Sequence, residues 1–268
     1  MIADLSAVRS VLFLPASNPR AIAKARESAA DLVILDLEDA VRREDKAHAR
    51  KAAIEAVADD WRMPVAIRLN GVGTEWHSLD VDAAARSKAQ FVVIPRATSA
   101  HLTREARKAV GKPLLAMIET AAGVLAAAEI AHECAALIAG TNDLAADLRL
   151  PQGAGREPMQ LALQTVLLAA RAAGIPAIDG VFNNLKDLDG FSIEADAGRQ
   201  LGFDGKSLIH PDQIDPCNRA FSPSDVEIDR AERLVQAFSG GAERFEDEMI
   251  ERMHVEAAQR VLQRAGRP

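Results

Sequence analysis

Two short apolar runs in the middle of the chain are each followed by a carboxylate. Residues 114–118 run directly into Glu119, and residues 137–139 are followed closely by Asp143. In a parallel sheet or barrel, consecutive strands joined by a crossover helix lie side by side and point the same way, so side chains at their carboxyl ends converge. Two convergent acids could bind one hard divalent cation. The alternative is that Glu119 caps the following helix and Asp143 shapes a turn.

Polar side chains follow nearly all the other apolar runs. Any one of them could be a solvated strand end or a helix cap, but together they gather acids, arginines and amides at one predicted edge. Glu38 could hold Arg68 or a water bound to the metal, whereas the alternative for the acids at 36–39 is capping of a helix that begins at Ala40. The positions are Asp36, Glu38, Asp39, Arg68, Asn70, Arg96, Asn142, Asp179, Gly180 and His210.

Eight apolar runs alternate with helical patterns along the chain, and these polar side chains follow them. Continuously apolar runs are typical of parallel strands covered by helices on both faces. Eight strand–helix units predict an α/β protein with a (β/α)8 TIM barrel, whose active site lies at the carboxyl ends of the strands. The predicted strands are 10–14, 32–35, 65–69, 91–94, 114–118, 137–139, 176–178 and 205–209, and predicted helices include 40–58, 121–132 and 158–173.

Three prolines between residues 211 and 223 interrupt this pattern after the eighth run. We therefore expect the barrel to occupy residues 1–222 and a C-terminal helical extension to occupy residues 223–268. The glycine pair at 240–241 is a flexible joint, so the last helix could pack on its own barrel or on a neighbouring subunit, and we favour the neighbouring subunit. The two predicted helices of the extension are 225–238 and 244–265.

Composition excludes several classes of function. The 268-residue chain carries a net charge of −7 without a basic cluster, which argues against binding to nucleic acid or to an anionic membrane. Its two cysteines, Cys134 and Cys217, lack any zinc spacing, and no glycine-rich nucleotide loop is present. The N-terminal residues fit neither a signal peptide nor a membrane span. We expect a soluble, cytoplasmic protein that acts on small molecules.

Several motifs occur in a fixed order along the chain. They are Arg-Ser-Val-Leu-Phe-Leu-Pro at 9–15, Asp-Leu-Glu-Asp-Ala-Val at 36–41, Arg-Leu-Asn at 68–70, Ile-Glu-Thr-Ala-Ala-Gly-Val at 118–124, Asp-Gly-Val at 179–181, and Gly-Phe-Asp-Gly-Lys-Ser-Leu-Ile-His-Pro-Asp-Gln-Ile at 202–214. In order and spacing this set resembles the citrate lyase β-subunit-like (CitE-like) branch of the HpcH/HpaI aldolase superfamily. The resemblance covers about residues 9–238 and is far more specific for the superfamily than for a substrate.

The resemblance implies a CoA-ester lyase that uses Mg2+, or alternatively Mn2+, and acts on a CoA thioester and an oxo acid. Malyl-CoA, citramalyl-CoA and citryl-CoA lyases belong to this group. It implies that Glu119 and Asp143 bind the metal and that Arg68 contacts the substrate's oxygens. We also expect Asn142 to contact the substrate and the protein to form a homotrimer or homohexamer. Arg20 and Lys24, one turn apart after the first strand, could meet CoA phosphates, although a solvated helix face is the alternative.

The chemistry gives an independent reason for these residue types. Cleavage of the bond between C2 and C3 of a 3-hydroxyacyl thioester removes the hydroxyl proton and leaves a thioester enolate. Negative charge therefore develops on two oxygens, that of the hydroxyl and that of the thioester carbonyl. A metal ion can stabilise one oxygen as a Lewis acid. Arg68 offers a planar fork of donors, where a lysine would supply only a point charge.

Two places depart from the family pattern. The usual Pro-Lys after the fourth strand is Pro95-Arg96 here, and the usual C-terminal Gly-x-Met-Ile-Asp, whose Asp is a proton carrier, reads Asp-Glu-Met-Ile-Glu at 247–251. Glu251 could replace that Asp in catalysis, or the stretch could be an ordinary amphipathic helix. Three alternatives to the lyase therefore stay open: a thioesterase for malyl-CoA-type substrates, an aldolase for a CoA-free 4-hydroxy-2-oxo acid, and a non-catalytic scaffold.

Overall fold

The computed structural model describes residues 5–266, in which eight parallel strands close into a barrel. Each strand pairs with its successor along the chain, and the eighth pairs with the first. The predicted (β/α)8 barrel is confirmed. The strands are Ser10–Pro15 (β1), Leu32–Asp36 (β2), Val65–Arg68 (β3), Phe91–Ile94 (β4), Leu114–Ile118 (β5), Ala136–Ala139 (β6), Ala177–Asp179 (β7) and Gly205–Leu208 (β8).

One or more helices follow each strand. Within residues 5–266, no helix combines the length and apolar composition that crossing a lipid bilayer requires. The barrel helices are Pro19–Arg26 (α1), Lys46–Ala56 (α2), His77–Arg86 (α3), Ala100–Val110 (α4), Ala121–Leu125 (α5), Ala127–Ala131 (α6), Thr141–Asp147 (α7), Gln160–Ala173 (α8), Leu188–Leu201 (α9) and Ile214–Ala220 (α10). Short 3-10 turns span Arg43–Asp45, Glu157–Met159 and Pro211–Gln213.

The barrel interior is a packed apolar core beneath a polar rim. Alternate residues of the strands, among them Ile34, Phe91 and Ile138, form one buried cluster. Residues of β2 are buried throughout, as expected for a strand that has the core on one side and helices on the other. The strand register aligns Asp36 with Arg68 and Ile118 with Ala139, so the polar residues that follow the strands reach one end of the barrel together.

The helix predicted from Ala40 is wrong at its start. The α-helix begins at Lys46, and a turn around Ala40 and the 3-10 turn Arg43–Asp45 precede it. The Asp36 carboxylate accepts hydrogen bonds from the backbone N–H groups of Glu38 and Ala40 at 2.8 and 2.9 Å, which fixes that turn. Capping of a helix at Ala40 by these acids is therefore also wrong.

The helix predicted at 121–132 is instead two short helices, α5 and α6, that meet at Ala126. The backbone of Ala126, with φ of −97° and ψ of 4°, interrupts the regular α-helix. Thr120 begins α5 as an N-cap, its side chain accepting from the N–H of Gly123 at 3.0 Å. Composition alone does not reveal such a break, because alanine favours helix throughout the stretch.

A second compact unit begins at Phe221 and contains the predicted C-terminal helical extension. Its first helix, Asp225–Ala237 (α11), starts with a capping box formed by Ser224 and Glu227. Its last helix is Arg252–Arg264 (α12). The boundary at residue 222 and the contact with a neighbouring subunit stay predictions. The core of this unit consists of Ala231, Leu234, Phe245, Ile250, Ala258 and Leu262.

The single helix predicted at 244–265 is wrong in its first part, which is a β-hairpin of Glu243–Phe245 (β9) and Glu248–Ile250 (β10). Glu246 adopts the left-handed conformation (φ 54°) at the turn. Before the hairpin, the Glu243 carboxylate accepts N–H groups from residues 239–241. These local contacts favour the hairpin despite a composition that suits a helix. Because Glu248–Ile250 is a strand, the amphipathic helix considered for residues 247–251 is excluded.

Candidate active site

A cavity of about 340 Å³ opens at the carboxyl end of the barrel. Its wall comes from residues at or just beyond the ends of β1, β2, β3, β5, β6, β7 and β8. This is the end at which TIM barrels carry their active sites. The charged residues of the wall are Asp36, Asp39, Arg68, Glu119 and Asp143.

Arg68 is a buried cation held by a carboxylate of the neighbouring strand. Its Nε and Nη2 donate to the two oxygens of Asp36 at 2.7 and 2.6 Å. Its Nη1 lies 3.0 Å from Glu38 Oε2 and 3.5 Å from Asp39 Oδ2, and its Cζ lies 5.4 Å from the ring centre of Phe13. Burial lowers the pKa of Arg68, but Asp36 and the other two acids outweigh burial and hold it above its ordinary value. The arginine is therefore charged and fixed in place.

Glu38 lies next to Arg68 because a buried lysine anchors the loop after β2. Lys46 Nζ donates to the carbonyl oxygens of Leu37 and Glu38 at 2.7 Å each. Burial raises the pKa of Glu38 to about 8, since the attraction of Arg68 offsets only part of it and Asp39 adds repulsion. The structure thus brings Glu38 to Arg68, which is one of the two roles predicted for it.

Glu119 and Asp143 lie beyond the ends of adjacent strands, β5 and β6, and both line the cavity. Burial raises the pKa of Glu119 to about 7; the backbone N–H of Arg96 opposes this shift and Asp143 adds to it. Burial also raises the pKa of Asp143, and repulsion from Asp39 adds to it. The cavity therefore concentrates negative charge that the protein only partly neutralises.

The backbone around Glu119 is shaped for close approach. Arg96 adopts a left-handed conformation (φ 48°), which costs about 1–2 kcal/mol in a residue with a side chain, and its N–H donates to Glu119 Oε1 at 2.6 Å. The Arg96 guanidinium lies 3.3 Å from Asp143 Oδ1. A side chain at Gly140 would place its Cβ 2.4 Å from Glu119 Oε2, so glycine is required there.

The Glu119 carboxylate has an oxygen that no protein group pairs with. Glu119 Oε2 is buried and has no hydrogen-bond partner, and an unpaired buried anion is costly unless a positive charge or donor reaches it. Within residues 5–266, no three His, Cys, Asp or Glu side chains gather as a candidate metal site. A cation held by Glu119 and Asp143 would therefore complete its coordination with water and ligand oxygens, as Mg2+ commonly does.

The remaining predicted residues differ in their location. Asn142 lines the cavity, and its side-chain amide exchanges two hydrogen bonds with that of Asn183, at 3.2 and 2.7 Å. Arg20 and Lys24 are exposed on α1 and are not part of the cavity wall, so their contact with CoA stays a prediction. Glu251 belongs to the second unit, where it is the residue before α12.

Some residues that build the cavity are not evident from the strand-end pattern. The sequence places Asp36 at the end of the second strand but assigns it no partner, whereas in the structure it is the main partner of Arg68. Ser207 also lines the cavity, and its only signal is a hydroxyl inside the eighth strand. Asp179, by contrast, is fully buried between Arg156 and Lys206, outside the cavity wall.

A cavity at the carboxyl end of a TIM barrel, lined by acids and a buried arginine, is the arrangement of a barrel enzyme's active site. A sequence profile of the HpcH/HpaI aldolase/citrate lyase family matches residues 9–211. The chain belongs to this family, and it is an enzyme of the carbon–carbon lyase class.

Individual relatives cover nearly the whole chain. It is 42% identical to a (3S)-malyl-CoA thioesterase of Cereibacter sphaeroides, covering 96% of this chain and 94% of the relative. It is 33% identical to citrate lyase subunit beta of Escherichia coli K12, and the match covers 96% of this chain and 93% of that subunit. The structure is similar to the crystal structure of CitE from Mycobacterium tuberculosis in complex with magnesium, acetoacetate and coenzyme A, with a TM-score of 0.87. The two sequences are 35% identical, and the match covers 98% of this chain and 100% of the CitE chain. The predicted superfamily is confirmed.

The raised pKa of Glu38 predicts a pH-dependent stability. The pKa of Glu38 in the folded protein, about 8, exceeds the ordinary value of 4.5. The protonated Glu38 therefore contributes fully to the free energy of unfolding below pH 4.5, and this contribution is lost as the pH rises through 8. Without divalent cations, the parent protein should lose about 3–5 kcal/mol more unfolding free energy between pH 5 and pH 9 than Glu38→Gln. Urea unfolding at each pH measures this difference. Glu44→Gln, an exposed change on the same loop, should follow the parent; parallel profiles for Glu38→Gln and the parent would contradict the prediction.

Proposed function

We propose that this protein is a Mg2+-dependent CoA-ester lyase that cleaves a malyl-CoA-type 3-hydroxyacyl thioester, with citramalyl-CoA and citryl-CoA as close variants, into acetyl-CoA and an oxo acid. The observation that carries the proposal is the presence of Glu119, Asp143 and Arg68 in the wall of one cavity. A metal-binding acid pair and a fixed cation suit a reaction in which charge develops on two oxygens. Relatives named for malyl-CoA and citrate chemistry support this substrate class.

Glu119 and Asp143 would hold the Mg2+. The chemistry supplied by the bound ion is Lewis-acid polarisation of the oxo-acid part of the substrate. The backbone N–H of Arg96 orients Glu119, leaving its unpartnered Oε2 to the cation. Mn2+ has similar ligand preferences and could replace Mg2+. The magnesium in the related CitE structure supports this assignment.

Arg68 would bind a substrate oxygen without having to move. Asp36 accepts one N–H from each of Nε and Nη2, and Nη1 faces Glu38 and the Met117 sulfur, which leaves the second N–H of Nη2 for a substrate oxygen. Asp36 and Glu38 hold the side chain in one geometry, which is the preorganisation that stabilises developing charge. Asn142 would contact the same part of the substrate from the wall formed after β6.

The substrate would enter with its acyl end first. A cavity of about 340 Å³ accommodates the acyl part but is too small for the whole of CoA. The CoA portion therefore extends outside, where Arg20 and Lys24 on α1 are exposed and could meet its phosphates. The coenzyme A bound in the related CitE structure supports a CoA thioester as the substrate.

Glu251 would carry the proton to or from the acetyl carbon, in an oligomer whose subunits exchange their C-terminal units. The hairpin and α12 present this glutamate at the start of a helix rather than within it. A carboxylate is a competent general acid–base group, and glutamate reaches one methylene further than aspartate. A homotrimer or homohexamer is the arrangement that we propose.

Thioester hydrolysis is the second candidate. The relative at 42% identity is named a (3S)-malyl-CoA thioesterase, whereas the citrate lyase subunit is 33% identical. Hydrolysis would use the same acyl-CoA site, but a water molecule would attack the thioester carbonyl and the C–S bond would break in place of the C–C bond. The two outcomes yield different products from the same thioester.

A product assay decides between these reactions. With Mg2+ and each enantiomer of malyl-CoA and citramalyl-CoA, and with citryl-CoA, we expect equal amounts of acetyl-CoA and an oxo acid, measured by mass spectrometry and phenylhydrazone formation. Free CoA and the intact hydroxy acid would show hydrolysis instead. Aldehyde release from 4-hydroxy-2-oxo acids without any reaction of thioesters would support a CoA-free aldolase, and no turnover of any substrate would support a scaffold.

Glu119→Gln should weaken metal binding strongly while preserving side-chain size. Changes that only reorient a metal ligand cost 10–100-fold in affinity, so loss of a direct ligand should weaken Mg2+ binding by at least about 100-fold. Isothermal titration calorimetry with MgCl2 measures this loss directly. The control is Glu129→Gln, an exposed change on α6 that should bind like the parent. Unaltered Mg2+ affinity in Glu119→Gln would refute the metal assignment.

Glu251→Gln should lower kcat by about 10²–10⁴-fold, because it removes a general acid–base group, whereas Glu251→Asp should retain much of the rate. Glu248→Gln on the same hairpin is the control and should stay near the parent rate. If the glutamate serves a neighbouring subunit, mixing the inactive Glu119→Gln and Glu251→Gln proteins should restore about a quarter of the activity, since hybrid oligomers form intact sites. A parent rate for Glu251→Gln would exclude the role.

A further inference from the structure

Ser207 occupies the inner face of β8. Successive side chains of a strand point to opposite sides, and Lys206 points away from the cavity to Asp179 and Glu194, with Nζ–O distances of 2.9 and 2.8 Å. Ser207 therefore faces the barrel interior and lines the cavity. Ile209, two residues further toward the rim, is 39% exposed, whereas Ser207 is 2% exposed. The hydroxyl lies deep in the cavity.

The Ser207 Oγ is buried and has no hydrogen-bond partner in the structure. Buried hydroxyl groups in folded proteins are nearly always paired, and an unpaired one deserves an explanation. A serine also adds nothing to the packing of an otherwise apolar barrel interior that alanine would not supply. A hydrogen bond from this hydroxyl to a ligand atom would offset the free-energy cost of burying it unpaired.

The surroundings of Ser207 indicate what that ligand atom is. The cavity wall includes the apolar side chains of Phe13 and Met117, and Asp36 and Glu38 already pair with Arg68. Arg68 and Ser207 line the same cavity, so the cavity offers a bound group the donors of Arg68 as well as the hydroxyl of Ser207. An anionic oxygen suits both donors, because hydrogen bonds to charged acceptors are about twice as strong as neutral ones.

We propose that Ser207 is a specificity-determining residue that donates a hydrogen bond to a carboxylate oxygen of the oxo acid. The inference rests on the proposed function, in which the acyl end of the thioester enters first. In malyl-CoA-type substrates that end carries the carboxylate of the future oxo acid. Ser207 thereby distinguishes an acid-terminated acyl group from an apolar one, which would leave the hydroxyl unpaired.

The test is calorimetric binding of glyoxylate, pyruvate and oxaloacetate, each with MgCl2, to the parent protein and to Ser207→Ala and Ser207→Thr. The oxo acid that binds the parent most tightly should bind Ser207→Ala about ten-fold more weakly. Ser207→Thr keeps the hydroxyl and should bind within about three-fold of the parent. Acetyl-CoA affinity, measured in parallel, should be the same in all three proteins.

Thermal unfolding separates a ligand contact from a structural one. Because the hydroxyl makes no internal hydrogen bond, Ser207→Ala should unfold no more than about 2 °C below the parent. A larger fall, or oxo-acid binding within two-fold of the parent, would overturn the assignment of Ser207 while leaving the proposed function standing. If the parent binds Mg2+ but none of the three oxo acids, the proposed function fails and the inference fails with it.

Discussion

The pairing of Arg68 with Asp36 is the interaction on which the site depends. A guanidinium with 8% of its side chain exposed is tolerated only when it is paired, and loss of one partner of a buried pair typically costs about 3–5 kcal/mol. Asp36 also accepts the N–H groups of Glu38 and Ala40, so one carboxylate both fixes the arginine and shapes the loop that carries Glu38. The parallel pairing of β2 with β3 aligns the two side chains, because Asp36 and Arg68 are partners in the strand register.

Negative charge around the cavity is the second constraint. Burial raises the pKa of Glu38 to about 8 and that of Glu119 to about 7, and Arg68 and the backbone N–H of Arg96 offset only part of these shifts. The strained backbone of Arg96 and the bare Cα of Gly140 allow close contacts around Glu119 that ordinary residues would prevent. Strain and uncompensated charge commonly accumulate at functional sites, where a ligand or metal completes the structure. A divalent cation would satisfy this arrangement.

The C-terminal unit shows where prediction from sequence reaches its limit. The stretch at 243–250 has a composition that suits a helix, but Glu243 captures preceding N–H groups and Glu246 adopts the left-handed conformation, so a hairpin forms. Similarly, the turn after β2 replaces the first part of a predicted helix because Asp36 binds its backbone. In both places specific side-chain contacts outweigh helix propensity, which differs between ordinary residues by less than about 1 kcal/mol.

The barrel, the order of its strands and the acids at the ends of β5 and β6 follow from the amino-acid sequence, because continuous apolar runs and the residues that follow them are local properties of the chain. The folded protein was needed to show that Asp36 pairs with Arg68, that Glu38 lies beside it in a buried acidic cluster, and that the Ser207 hydroxyl is buried and unpaired. Pairing, burial and pKa depend on distances between residues far apart in the chain. Those distances exist only once the eight strands have closed into a ring.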